Sequence, residues 1–164
     1  MKSNEKVYAM LRAAIDSAIG FEKNCTKLYE KLASASLAPE LSKALHPEQT
    51  GIGSHIERLQ LIKKLIIGKT EIQLSFLTIN PTKLKKGKSN TQDLLILHTA
   101  LQYQAAKINE YETLLAYVTD VLESPVPELI SQCIAENEQT SLWLKRTLNH
   151  QLKYLREESA TSLL

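Results

Sequence analysis

Three observations predict an all-α chain, a four-helix bundle with one long crossover between its second and third helices. Apolar residues recur at alternating steps of four and three over long stretches, and the 164 residues include only 5 Gly and 5 Pro. The breaks between these stretches come in the order short, long, short. Short connections make antiparallel neighbours, and a single long one must cross the bundle. The whole chain, 1–164, is expected to form one domain, large enough to bury a core.

The first helix is predicted over about 5–35, where Val7, Leu11, Ala14, Ala18, Phe21, Cys25, Leu28 and Leu32 make one seam. Lys23, Lys27, Glu30 and Lys31 fall away from it as a solvated face. The second, about 39–67, starts at Pro39-Glu40, with proline and an acid where a first turn favours them. It is interrupted near 46–53 by HPEQTGIG, because Pro47 lacks a donor and Gly51 and Gly53 loosen the backbone. Ile52, His55, Ile56, Leu59, Ile62 and Ile66 then restore the period. Residues 68–90 lack it and form the crossover, with Leu74, Phe76, Leu77 and Ile79 as its anchors to the bundle. The third helix, about 91–122, takes Asn90 as its N-cap with Asp93 three residues on. Its inward stripe is read as His98, Leu101, Ala105, Ile108, Glu112, Leu115, Thr119 and Leu122. The fourth, about 127–157, follows the break at Ser124–Glu128 and turns Ile130, Cys133, Asn137, Thr140, Leu144, Leu148 and Leu155 inward; Ser159–Leu164 are expected to fray.

Charge and composition narrow the function. Twenty Lys and Arg against 18 Asp and Glu give +2, too small an excess to require a nucleic-acid partner, and Lys83, Lys85, Lys86 and Lys88 are read as a solvated loop. No apolar run reaches the ~18 residues of a membrane span, and the first ten residues lack the apolar core of a signal peptide, so a cytoplasmic protein without a membrane partner is expected. Cys25 and Cys133, far apart and outside any CxxC spacing, are expected as buried reduced thiols.

Each helix also carries polar residues near the middle of its inward stripe: Glu22, His55, Glu112 with Asn109, and Glu136 with Asn137. A carboxylate in a core is costly unless paired, hydrogen-bonded or bound to a cation, so Glu112 demands a partner on another helix. Carboxylates and imidazole converging from four helices suit a di-iron or di-manganese centre. The same groups can equally form a buried ion pair or hydrogen-bonded cluster without metal. Tyr103, Tyr111 and Tyr117 are read as packing residues with hydroxyls at water, and Trp143 as a core-edge or interface anchor.

FEKNCTKLYEKL at Phe21–Leu32, GSHIERLQLI at Gly53–Ile62, KINEYETLLAY at Lys107–Tyr117 and AENEQTSLWL at Ala135–Leu144 together resemble the YciF-like branch of the ferritin-like proteins. The resemblance spans nearly the whole chain in matching order. It implies a ferritin-like four-helix bundle, commonly a homodimer, with a dinuclear metal centre and an association with stress response. By position, Glu22, His55, Glu112 and Glu136 match ligands of that centre. Ile52, Asn109, Asn137 and Ser141 stand where acids are usual. Two divalent cations close together want about four carboxylates, so a degenerate centre is expected: at best one weak Fe or Mn site at Glu22, His55 and Glu112, completed by Glu48 or Glu136. Two functions follow, a non-catalytic structural or interaction protein, favoured by the missing acids, and a ferroxidase-like protein reacting with oxygen or peroxide.

Overall fold

In the computed structural model, which describes residues 2–66, 68, 72, 74 and 83–162, the heptad seam of the first stretch becomes α1 (Lys2–Ala35). Leu11, Ala18, Phe21, Cys25 and Leu32 are buried along it and Lys23, Lys27, Glu30 and Lys31 are exposed, as the period requires. The interrupted second helix resolves into α2 (Pro39–Ala44), α3 (Pro47–Thr50) and α4 (Ile52–Leu65). Pro39 and Pro47 open their helices, where a missing N–H costs nothing. Gly51 makes the joint between α3 and α4 with φ 70°, and a Cβ there would lie 3.4 Å from His55 Nε2. The left-handed backbone calls for glycine, and a Cβ there would only touch the imidazole at van der Waals distance.

The third and fourth stretches are α5 (Asn90–Val118) and α6 (Val126–Ser162). Ser89, not Asn90, caps α5 by accepting from the Gln92 amide. Asp93 leaves the cap and lies fully buried, its two oxygens accepting from the Leu37 and Ala38 amides at 2.8 and 3.0 Å. It thereby ties the α1–α2 corner to α5. Helix continues through Ser159 to Ser162, extending the run of good helix formers at 151–158, so fraying does not begin where expected. Leu74 lies beside α1 and α5, lining a hollow with Ala14 and Tyr117, while Phe76, Leu77 and Ile79 fall outside the described residues. α1 packs on α4 and α5, and α6 on α5 and α4, so the long helices follow one another around the bundle as α1, α4, α6, α5.

The register of α5 differs from expectation by one residue. Its buried seam is Leu97, Ala100, Gln104, Lys107, Tyr111, Leu114 and Val118, whereas His98, Ala105, Glu112 and Thr119 are exposed and Leu101, Ile108 and Leu115 half-buried. Apolar side chains occupy both faces of this helix and the inward one carries much of its polarity, so the aliphatic period points outward.

Two apolar cores fill the bundle ends. One joins Leu11, Ile15 and Ile19 to Leu59, Ile62, Leu114, Val118 and Ile130. The other joins Phe21, Cys25 and Leu32 to Ile52, Ile96, Ala100 and Leu144. On all four long helices the boundary between them is marked by buried polar groups: Glu22, His55, Gln104 with Lys107, and Asn137.

Candidate functional site: a charged layer at mid-bundle

Glu22 is the centre of this layer. Only 1% of it is exposed, and from α1 it meets side chains of α4 and α5. From α5, the Tyr111 hydroxyl donates to Oε1 at 2.8 Å and Lys107 Nζ, itself fully buried, stands 3.1 Å from Oε2. That contact is Coulombic rather than aligned, since neither Oε2 nor Nζ has a partner in hydrogen-bond geometry. The ammonium also stands 5.0 Å from the Tyr29 ring centroid, a cation–π contact that offsets part of its desolvation.

His55 enters from α4, fully buried, with Nδ1 3.7 Å from Glu22 Oε1 and Nε2 3.4 Å from Glu136 Oε2. Neither nitrogen is hydrogen-bonded. Burial lowers the imidazole pKa, opposed by Glu22 and Glu136 and reinforced by Lys107 and Arg58, so a neutral ring is favoured. Glu136 lies at the edge, its side chain more than a third exposed, in a bidentate pair with Arg58 at 2.6 and 3.0 Å. That hydrogen bonding holds its carboxyl below the ordinary value.

On the opposite side the layer continues through neutral groups. Tyr29 donates to Gln104 Oε1 at 2.7 Å, Gln104 Nε2 donates to the Asn137 carbonyl at 3.0 Å, and Asn137 Nδ2 donates to the Cys133 carbonyl at 2.9 Å. Burial raises the Tyr29 and Tyr111 hydroxyls above their usual range and pushes the Cys25 thiol up to about 12, so all three stay protonated. Cys25 and Cys133 are buried free thiols, as expected.

Glu22, His55 and Glu136 are therefore brought together, and Glu112 is not: it is exposed on the outer face of α5, and Tyr111 takes the inward place assigned to it. Asn109 and Glu48 are exposed as well. The Tyr111 hydroxyl, expected at water, is buried on Glu22. Trp143 is half-buried against the second core, at its edge. Lys107 and Arg58 were missed. One signal pointed to the first: Lys107 is the sole Lys or Arg of α5, and a buried Glu22 needs a cation from a neighbouring helix.

Among the described residues no three His, Cys, Asp or Glu side chains are arranged to hold a metal ion. The donor set gives a reason. Both carboxylates that approach His55 already face a cation, Glu22 that of Lys107 and Glu136 that of Arg58, so a divalent ion would meet two positive charges where it needs uncompensated oxygens.

Among solved structures, the Escherichia coli stress protein YciF superposes with a TM-score of 0.70 at 21% identity, over 93% of this chain and 99% of that one. YcfI of Rhodopseudomonas palustris, described as a candidate structural protein, superposes with a TM-score of 0.66 at 18% identity, over 83% and 90% of the two chains. At these identities the likeness speaks for the fold, the ferritin-like bundle of the YciF-like branch. No curated protein matches the chain. Residues 8–155 match a family in sequence as well, and the chain belongs to it: the family described as Domain of unknown function (DUF892).

Proposed function

We propose that this chain is a non-catalytic, stress-associated structural member of its family, in which an internal ammonium takes the part of the central metal. The observation that carries this reading is the buried pair of Lys107 and Glu22. A carboxylate at mid-bundle needs a positive charge, and lysine supplies it from within the chain. Lysine cannot change valence or bind oxygen, so the layer fixes the register of four helices without supplying oxygen chemistry. The description of one structural neighbour as a stress protein and of another as structural lends the association its support.

A second reading has one observation in its favour. Both ring nitrogens of buried His55 lack hydrogen bonds, and an imidazole free to donate its lone pair between Glu22 and Glu136 is what a single weak Fe or Mn site would use. Lys107 and Arg58 weigh against it.

Metal analysis of protein purified without chelator, followed by aerobic Fe(II) oxidation, separates the two. The structural reading expects substoichiometric metal and oxidation at the buffer rate. Stoichiometric Fe or Mn, with faster oxidation that Glu22→Gln removes, establishes the ferroxidase-like reading instead. Homodimer assembly, implied by the family resemblance, and a reducing cytoplasmic setting, with which the two buried thiols agree, belong to the same proposal. Sedimentation at micromolar concentration that gives the monomer mass would remove the dimer from it.

A further inference from the structure

The small net charge of +2 conceals a segregation. The 83–89 segment is laid against the end of α1, because the Gln92 side chain donates to the Ala35 and Gly87 carbonyls and accepts from the Lys85 amide. Leu84 packs against the second core and lines a hollow with Lys27 and Lys31 of α1. Lys85, Lys86 and Lys88 line the adjoining hollow at the start of α5. With Lys83, six exposed lysines thus gather at one end of the bundle, and Glu30 is the one acid among the described residues lining the two hollows. Among the described residues, six of the chain's 20 Lys and Arg stand here against Glu30 and the buried Asp93 of its 18 Asp and Glu, so the remaining 14 cationic and 16 acidic residues are net negative.

We infer that this face binds the phosphate backbone of double-stranded nucleic acid without reading sequence. Whole-chain charge averages over faces, whereas a polyanion meets one face at a time. Lysines act as point charges on phosphates, and the hydroxyls of Ser34, Ser89 and Thr91 beside them suit phosphate oxygens. Among the described residues lining the two hollows none is aromatic, and a face of lysines and hydroxyls without a stacking platform favours duplex over single strand. A lipid surface would draw on inserted apolar side chains. Among the described residues here Leu84 is turned against the core, and Leu95, 42% exposed, and Leu37 of the α1–α2 corner, 47% exposed, are the large apolar side chains left outward. The inference is independent of whether mid-bundle holds a metal.

The test is fluorescence anisotropy of the full chain with a short random-sequence duplex at two salt concentrations. If all six lysines meet phosphates, affinity falls about a thousandfold between about 50 and 200 mM salt. Replacing Lys85, Lys86 and Lys88 together by Gln lowers the salt slope by about three and weakens binding at least about tenfold, with helicity by circular dichroism unchanged. Any of three results overturns the inference: no duplex binding at low salt, the same binding by the triple variant, or binding to phosphatidylserine-containing vesicles without binding to the duplex.

Discussion

Two carboxylates are buried in this bundle by different means. Asp93, at the end of α5, gives its oxygens to two backbone amides of the α1–α2 corner. Glu22, at mid-bundle, relies on a tyrosine hydroxyl and a lysine ammonium reached across helix seams. Backbone donors are neutral and held in place by the corner itself, so Asp93 acts as an anchor whose partners cannot leave. The partners of Glu22 are side chains, one of them charged, and each is costly to bury without the other. The first arrangement secures a turn; the second makes the register of α1 and α5 conditional on one pair of residues.

The sharpest way to break this contrast is Lys107→Met. It leaves the Glu22 charge in the core with only the Tyr111 hydroxyl and the neutral His55 ring beside it, and a buried ion left unpaired costs about 3 to 5 kcal/mol. A shift of that size in urea denaturation is expected. Glu22→Gln combined with Lys107→Met should recover most of it, since removing both charges of a buried pair is often neutral. A loss below about 1 kcal/mol for the single variant would mean that Glu22 reaches water and that the central layer is not a dry ion pair.

Asp93→Ala comes next. It orphans the Leu37 and Ala38 amides, and charge-assisted hydrogen bonds of this kind are worth about 1.5 to 3 kcal/mol each, part of which water recovers at the half-buried corner. We expect a loss of about 2 kcal/mol, read by the same denaturation, with hydrogen exchange quickened at Leu37 and Ala38 and unchanged in the middle of α5. Asp93→Asn keeps one acceptor oxygen and should retain about half of that stability. Equal quickening throughout α5 would make Asp93 part of the global core rather than a local anchor.

The same contrast explains what the sequence made legible. On α1, α4 and α6 the inward stripes are apolar over several turns, so Leu11, Phe21, Cys25, Leu59, Cys133 and Leu144 could be placed from spacing alone. The interruptions at Pro47 and Gly51 were legible because proline and left-handed glycine leave few alternatives. α5 was not, because tertiary contacts override its aliphatic period: Gln104 and Lys107 are buried to meet Tyr29, Asn137 and Glu22, while Leu101 and Ile108 remain partly outside. Glu22 and His55 stood out as polar groups on otherwise apolar seams. Their counter-ions were harder to pick out, since a lysine or arginine on a helix is ordinarily a solvated residue: Lys107 was marked only by being the sole Lys or Arg of α5, and Arg58 by nothing but the residues that face it.

The smallest expected effect is a pH dependence that belongs to the central layer alone. His55 is packed among Glu22, Glu136, Lys107 and Arg58, and burial is the largest influence on it, so its folded pKa lies below the unfolded value of about 6.5. Between those two values the unfolded chain holds a proton that the folded chain refuses, and stability therefore declines as pH falls through that window, by at most about 1.4 kcal/mol per pH unit. Below the folded pKa both states are protonated and this contribution stops changing. Glu136 acts in a lower range. Its carboxyl is held down by Arg58, so the stability it adds is present above the ordinary carboxylate value and lost as pH falls through the depressed one, and its exposure keeps the amount small. Denaturation midpoints measured from pH 7.5 to 5 should thus decline for the wild type and less for His55→Gln, which cannot titrate. Equal slopes in the two proteins would show that burial does not shift the imidazole, and a wild type that gains stability relative to His55→Gln as pH falls would show the imidazole already charged at neutral pH, the layer then holding three cations against two carboxylates.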